Sequence, residues 1–235
     1  VEHIGDADIV LCNKTHLGRE NIGQCPNLKY IGLFATGYNN IDIDYASELG
    51  ITVCNAGSYS TDAVAQHTFA LILNHYGRIK EYDSFVKEGG WKTADVFSPF
   101  IYNMRELAGK TIGIVGYGSI GQKVAKIAKA FDMKVIAFNR SEKEDEDVVF
   151  TDIETLVSQA DIVTVHCPLN EQSEKLFDYD LFKKFKIGSL FVNTARGGVM
   201  VEEDLARALK EGVIGAAAID VLTCEPMDKD NSLCD

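Results

Sequence analysis

The sequence predicts an α/β protein organised around a doubly wound parallel sheet, on three observations. Short apolar, β-branched runs alternate with helical patterns along the chain, as parallel layers require. Thr111-Ile-Gly-Ile-Val115 passes directly into Gly116-Tyr-Gly-Ser-Ile-Gly121, a buried strand feeding a glycine turn. Apolar positions then recur at helical spacing (Ile120, Val124, Ile127, Ala128, Phe131) before a second strand, Lys134 to Phe138, so the unit reads βαβ. In the G-x-G-x-x-G turn, Gly116 makes the bend, Gly118 leaves room for a pyrophosphate, and Gly121 lets helix and strand pack closely. The helix start adds unpaired N–H groups and a positive dipole end. The turn alone could be merely structural; set between strand, helix and strand, it reads as a dinucleotide site.

The other elements follow in order. Ile9–Cys12, Leu28–Phe34 and Ile51–Cys54 read as strands, with a turn at 35–40 and a short helix over 43–49. After a loop at 55–60, a helix runs from Thr61 to about Tyr76, apolar around most of its circumference (Val64, Ala65, Phe69, Ala70, Leu71, Leu73). Such a helix needs cover on more than one side, from the core, a second copy, or both. Gly89-Gly-Trp91 puts the only Trp on an arm, as an anchor for a partner subunit or as cover for its own domain. The charge run 141–147 reads as a solvated loop. Helices follow at 155–159 and 202–211, and strands at 161–166, 189–193 and 214–220. Both chain ends are abrupt, so residues are expected to be missing upstream and downstream.

The 235 residues carry a net charge of −12 with no basic run, which argues against nucleic acid or an anionic membrane as partner. No apolar run approaches the roughly 20 residues of a membrane span. Six cysteines show neither C-x-x-C nor zinc-like clustering with His; free thiols in a reducing cytoplasm and no metal site are the expectation.

Cofactor choice is read at the end of the second strand of the βαβ unit. An Asp or Glu about 20 residues on binds the ribose hydroxyls of NAD. Here the position, 18 residues beyond Gly121, holds Asn139, followed by Arg140 and Ser141. An amide does not repel a 2′-phosphate, and an arginine and a hydroxyl can hold one. NAD(H) or NADP(H) is expected, with the weight on NADP(H).

Six separated motifs then resemble the D-isomer-specific 2-hydroxyacid dehydrogenase family: Gly-Tyr-Asn-Asn-Ile-Asp (37–42), Thr-Asp-Ala-Val-Ala-Gln-His-Thr (61–68), Leu-Ala-Gly-Lys-Thr-Ile-Gly-Ile-Val-Gly-Tyr-Gly (107–118), His-Cys-Pro-Leu (166–169), Asn-Thr-Ala-Arg-Gly-Gly (193–198) and Ala-Ile-Asp-Val…Glu-Pro (218–226). The resemblance spans essentially the whole chain and is strongest toward glycerate dehydrogenases, also called hydroxypyruvate reductases.

It implies a Rossmann-type cofactor domain at 58–235 and part of a smaller flavodoxin-like substrate domain at 1–57. It implies reversible reduction of a small 2-oxo acid, hydroxypyruvate or glyoxylate to D-glycerate or glycolate; a homodimer through the helix from Thr61 and the Trp91 arm is expected separately, from that helix's wide apolar surface. Arg196 matches the arginine that clamps the substrate carboxylate, a task for a planar fork that lysine cannot match. Helix capping or pairing with Glu202 is the alternative for it. Glu225 matches the carboxylate that orients a catalytic histidine. That histidine itself is expected beyond Asp235, since His3, His16, His67, His75 and His166 do not match its place. Either the chain is truncated or the protein as given is inactive. Backbone N–H groups at Thr36 and Gly37 would meet the substrate. Ser119 and Ile120 follow the phosphate turn, Thr194 and Ala195 line the nicotinamide side, and Asp220 matches the carboxamide-binding aspartate. His166 ends a strand on the cofactor side, with Cys167 and Pro168 over the adenine. Two other readings compete: a non-catalytic NAD(H)-sensing protein, and a nucleotide-dependent enzyme of other chemistry, such as a hydrolase.

Overall fold

A computed structural model describes residues 2–234. The chain divides into two compact units, Val1–Thr61 and Asp62–Asp235.

The smaller unit holds three parallel strands in the order β1 (Ile9–Cys12), β2 (Tyr30–Leu33), β3 (Thr52–Asn55). One helix, α1 (Ile43–Glu48), is capped by Asp42, whose side chain accepts the Tyr45 N–H, a standard N-terminal device. Its core gathers Leu17, Ile22, Ile31, Leu33, Ala46 and Ile51. β3 starts one residue later than the sequence suggests because the Ile51 N–H is spent on Ala46 O at the end of α1. The turn after β2 is tied down: Asn55 Nδ2 donates to Thr36 O at 2.6 Å, and the Thr36 and Ser60 hydroxyls lie 3.1 Å apart.

The larger unit is a six-stranded, wholly parallel sheet. Its strands are β4 (Thr111–Val115), β5 (Lys134–Phe138), β6 (Val149–Phe150), β7 (Ile162–Val165), β8 (Leu190–Asn193) and β9 (Ala216–Ile219). They lie in the order β6-β5-β4-β7-β8-β9. The central strands are buried on both faces, which is why they read as unbroken apolar runs. Successive side chains serve opposite cores. Ile112 and Ile114 join one with Phe69, Ile72, Val124 and Val192. Val115 joins the other with Leu156, Val163, Phe177 and Phe191. Two cores, one on each face, are what double winding means physically. The chain runs outward from β4 in one direction and from β7 in the other, so the sheet's switch point lies between those strands.

The helices are α2 (Thr61–Gly77), α3 (Ile79–Lys87), α4 (Ser119–Ala130), α5 (Ile153–Gln159), α6 (Tyr179–Phe182) and α7 (Glu202–Lys210). α2 buries a single stripe, Ala65, Thr68, Phe69, Ile72 and Tyr76, with Leu71 and Leu73 only partly covered. α3, α6 and β6 are absent from the sequence reading. Arg78, at φ 51°, breaks α2 from α3, a break that its side chain does not advertise. α6 is a single turn and β6 two residues, both too short for periodicity to register. After α3, Trp91 sits on a 3₁₀ turn, Gly90–Thr93, and its indole N–H donates to Phe97 O at 3.2 Å. The tail also has structure. Asn231 Nδ2 donates to Glu202 Oε2 at 2.5 Å, and Leu233 packs on the second core. No helix among the described residues is long and apolar enough to cross a membrane.

Candidate active site

The glycine turn joins β4 to α4 at the switch point, and each glycine has a distinct reason to be one. Gly116 has φ +100°, and a Cβ there would lie 2.6 Å from the Cys167 N. A Cβ on Gly121 would meet Gly116 O at 2.2 Å. A Cβ on Gly118 would meet nothing within 4 Å. Two glycines therefore serve the protein's own packing, while the middle one faces open space. Gly118 is also the N-cap of α4 and supplies no side-chain capping hydrogen bond, and a helix N-terminus turns backbone N–H groups and a positive dipole end toward an anion. That combination fits a dinucleotide pyrophosphate.

Beside the turn lies a cavity of about 290 Å³. It is lined by Gly116, Gly118, Asn139, Arg140, Ser141, His166, Cys167 and Pro168, so the sequence-derived candidates for the adenosine half converge. Asn139 Oδ1 accepts the Tyr117 N–H at 2.9 Å, and its Nδ2 donates to Ser141 O and Oγ, both at 2.9 Å. Arg140 Nη1 donates to Gln172 Oε1 at 3.2 Å. His166 is only half-buried as a residue, yet its Nδ1 is fully covered and has no hydrogen-bond partner among the described residues; Nε2 lies 3.0 Å from Thr164 Oγ1. Burial pushes its pKa down to about 4, so the ring is neutral at pH 7 and is no proton donor. Burial likewise pushes the Cys167 thiol up to about 11, which keeps it protonated and makes it packing rather than a nucleophile.

The same carboxyl edge of the sheet, at the ends of β8 and β9, carries Thr194, Ala195, Arg196 and Asp220. Asn193, fully buried at the end of β8, shapes this loop: its Oδ1 accepts the Ala195 N–H at 3.0 Å and its Nδ2 donates to Arg196 O at 2.9 Å. Arg196 Nη1 donates to Ala195 O at 2.6 Å. α2 reaches the same strand ends with two consecutive residues. Thr68 Oγ1 lies 3.2 Å from Thr194 Oγ1, and His67 Nε2 lies 3.4 Å from Asp220 Oδ1. Glu225 Oε1 accepts the Leu222 N–H at 3.2 Å. Glu202, the alternative partner weighed for Arg196, is committed to the Thr223 N–H at 2.6 Å and to Asn231. Burial opposes its charge, but those two donors outweigh burial and hold the carboxyl below its usual range.

Sequence reasoning missed Asn193, Glu202 and Thr68 as the groups that set this geometry. An asparagine closing the apolar run Leu190-Phe-Val-Asn193 is the one local signal available, since a buried amide must find partners. Ser119 and Ile120 open α4 as expected, and Thr36 and Gly37 lie in the smaller unit.

Residues 69–235 match the model of the D-isomer specific 2-hydroxyacid dehydrogenase, NAD binding domain. The chain is 39% identical over 236 residues to a hydroxypyruvate reductase of Blautia hydrogenotrophica, covering 99% of this chain and 73% of that protein. It is 37% identical over 235 residues to a glycerate dehydrogenase of Methylorubrum extorquens, covering 100% and 74%. Among solved structures, an acyclic imino acid reductase (Bsp5) in complex with NADPH and D-Arg matches with a TM-score of 0.90 at 33% identity, covering 99% of this chain and 73% of that one. A nicotinamide cofactor is therefore common to the family model and the structural relative, and it fits the glycine turn and cavity described above. With the parallel order of the sheet, the three glycine environments and these matches in agreement, the chain belongs to the D-isomer-specific 2-hydroxyacid dehydrogenase family.

Proposed function

We propose that this protein reduces a small 2-oxo acid, with hydroxypyruvate and glyoxylate as the substrates, to D-glycerate and glycolate respectively. The observation that carries the reading is the Arg196 loop: a guanidinium on a backbone braced by the buried Asn193 at a strand's carboxyl end. A planar fork held there suits a carboxylate beside a carbonyl. A nicotinamide cofactor, when bound, would supply or take the hydride. Arg196 binds the carboxylate and polarises the carbonyl, Glu225 orients the acid, and that acid is a histidine other than the five in these 235 residues. Residues 1–57 act as part of the substrate domain, where Thr36 and Gly37 offer backbone N–H groups. Residues 58–235 act as the cofactor domain, with Thr194, Ala195 and Asp220 at the nicotinamide.

NADP(H) is the proposed preferred cofactor. Supporting this reading, Asn139, Arg140 and Ser141 line the cavity after β5, whereas an NAD-selective site carries a carboxylate at the end of that strand. A homodimer through α2 and the Trp91 arm is supported by an apolar surface there. Phe97 is 89%, Phe100 80% and Trp91 53% exposed, a patch of the kind that marks an interface. Six free cysteines fit a reducing cytoplasm.

The test is Arg196→Lys in a form of the protein that carries the proton-donating histidine. Cofactor affinity should stay unchanged. Reduction of hydroxypyruvate and glyoxylate should fall roughly 10- to 100-fold, the scale of a lost charge-assisted hydrogen bond of about 1.5–3 kcal/mol. Equal kcat/KM in variant and parent removes Arg196 from the site.

A further inference from the structure

The acidic run beyond the cofactor-choice residues presents a conflict. Glu142, Glu144, Asp145, Glu146 and Asp147 follow Ser141, with Lys143 the one cation among them, and five carboxylates beside a 2′-phosphate would repel it. Their arrangement resolves the conflict. Four are exposed, while Asp145 is half-buried and turns back onto the glycine turn. Its Oδ2 accepts the Tyr117 hydroxyl at 2.6 Å, and its Oδ1 accepts the Asp147 N–H at 3.1 Å. Lys129 of α4 lies 3.5 Å from Asp145 Oδ1 and 3.1 Å from Asp147 Oδ2. These contacts hold the Asp145 carboxyl below its ordinary range, the Tyr117 hydroxyl most of all.

Tyr117 is itself fixed. Its ring is 3% exposed and meets Phe150 edge-on at 5.2 Å, while its N–H donates to Asn139. One residue of the glycine turn therefore holds both the selectivity amide and the acidic run. Arg140 pairs with Gln172 on another loop, and no carboxylate of the run lies within ion-pair distance of it among the described residues.

We propose that Tyr117, Asp145 and Lys129 form a latch that folds the acidic run onto α4, leaving the charge of Arg140 available to a ribose 2′-phosphate. Tyr117 and Asp145 are then positioning residues for cofactor selectivity. The inference rests on the NADP(H) reading above and deepens it.

The latch makes a prediction opposite in sign to simple charge repulsion. Removing one carboxylate near a phosphate should strengthen phosphate binding, whereas removing a latch carboxylate should weaken it, because four other acids are released. The test measures adenosine 2′,5′-bisphosphate and 5′-AMP binding by calorimetry on the full chain, for the parent, Tyr117→Phe, Asp145→Ala and Arg140→Ala. Both latch variants should bind the bisphosphate about three- to tenfold more weakly, the scale of one charge-assisted hydrogen bond, with 5′-AMP unchanged within about twofold. Asp145→Ala alters a surface loop, so it reports even if Tyr117→Phe folds poorly. Unchanged or tighter bisphosphate binding in Asp145→Ala overturns the latch, as does an equal loss for both nucleotides, which would mean a collapsed pocket. If the parent does not prefer the bisphosphate and Arg140→Ala changes nothing, the NADP(H) reading itself falls and takes the latch with it. If Arg140→Ala loses the preference and the latch variants keep it, only the latch falls.

Discussion

Substituting alanine at two glycines three positions apart, Gly118 and Gly121, should separate fold from function. Gly118 has ordinary backbone angles (φ −82°, ψ −163°) and open space where a Cβ would stand. Alanine there gains about 0.4–1 kcal/mol from a less free unfolded chain and loses a comparable amount as a poorer helix N-cap. Stability should therefore stay within about 1 kcal/mol, or roughly 2–4 °C in Tm for a unit of this size. The new methyl group occupies the approach reserved for the pyrophosphate, so nucleotide affinity should drop at least tenfold, about 1.4 kcal/mol. Gly121→Ala inverts the pattern. Its Cβ would sit 2.2 Å from Gly116 O, a backbone atom that cannot rotate aside. Overpacking of this kind costs about 1–3 kcal/mol, so Tm should fall by several degrees even without ligand. Thermal melts with and without NADPH, together with calorimetric titration, read both quantities. A Gly118→Ala protein that melts several degrees lower than the parent, or that binds the nucleotide equally well, would refute the division of labour among the glycines.

Three further outcomes are expected. Arg140→Ala should lower the ratio of kcat/KM for NADPH to that for NADH by about tenfold or more, as one charge-assisted contact is lost; a strong NADH preference in the parent, unaffected by the change, would contradict the reading. Trp91→Ala combined with Phe97→Ser should shift the protein from dimer to monomer in sedimentation at micromolar concentration, and a parent that is already monomeric there would exclude the interface. His166, held by burial down to about 4 in the fold against about 6.5 when unfolded, contributes stability that is fully present above pH 6.5 and lost as pH falls toward 4. The parent should lose about 1–2 kcal/mol more than His166→Asn between pH 6.5 and 4.5, measured by urea titration at each pH; parallel slopes would show that the ring is not held neutral.

What was legible in the sequence was whatever a single stretch of chain decides. The strand Thr111–Val115, its glycine turn and α4 were readable because they are contiguous in the chain and Gly121 answers to Gly116, five residues before it, whereas the contact of Gly116 with Cys167 lies far along the chain. The apolar runs of β7 and β8 were readable because burial on both faces leaves them almost wholly apolar, with Thr164 and the closing Asn193 as the buried polar exceptions. What escaped depends on partners far along the chain. Thr68 meets Thr194 across 126 positions, Tyr117 meets Asp145 across 28, and Glu202 meets Thr223 across 21. None of these residues carries a local pattern that names its partner, and an exposed acidic run reads as a solvated loop until Tyr117 is seen to hold it. This has a consequence for cofactor choice. The residues proposed to meet the ribose, Asn139 to Ser141, can be read directly, but whether their charge would reach the ligand depends on where five neighbouring carboxylates go. A relative that shares Asn-Arg-Ser but lacks the tyrosine or the lysine should therefore discriminate less sharply for the 2′-phosphate. Under the proposed latch, selectivity belongs to the site together with the loop that shields it, and restoring the latch in such a relative should restore the discrimination.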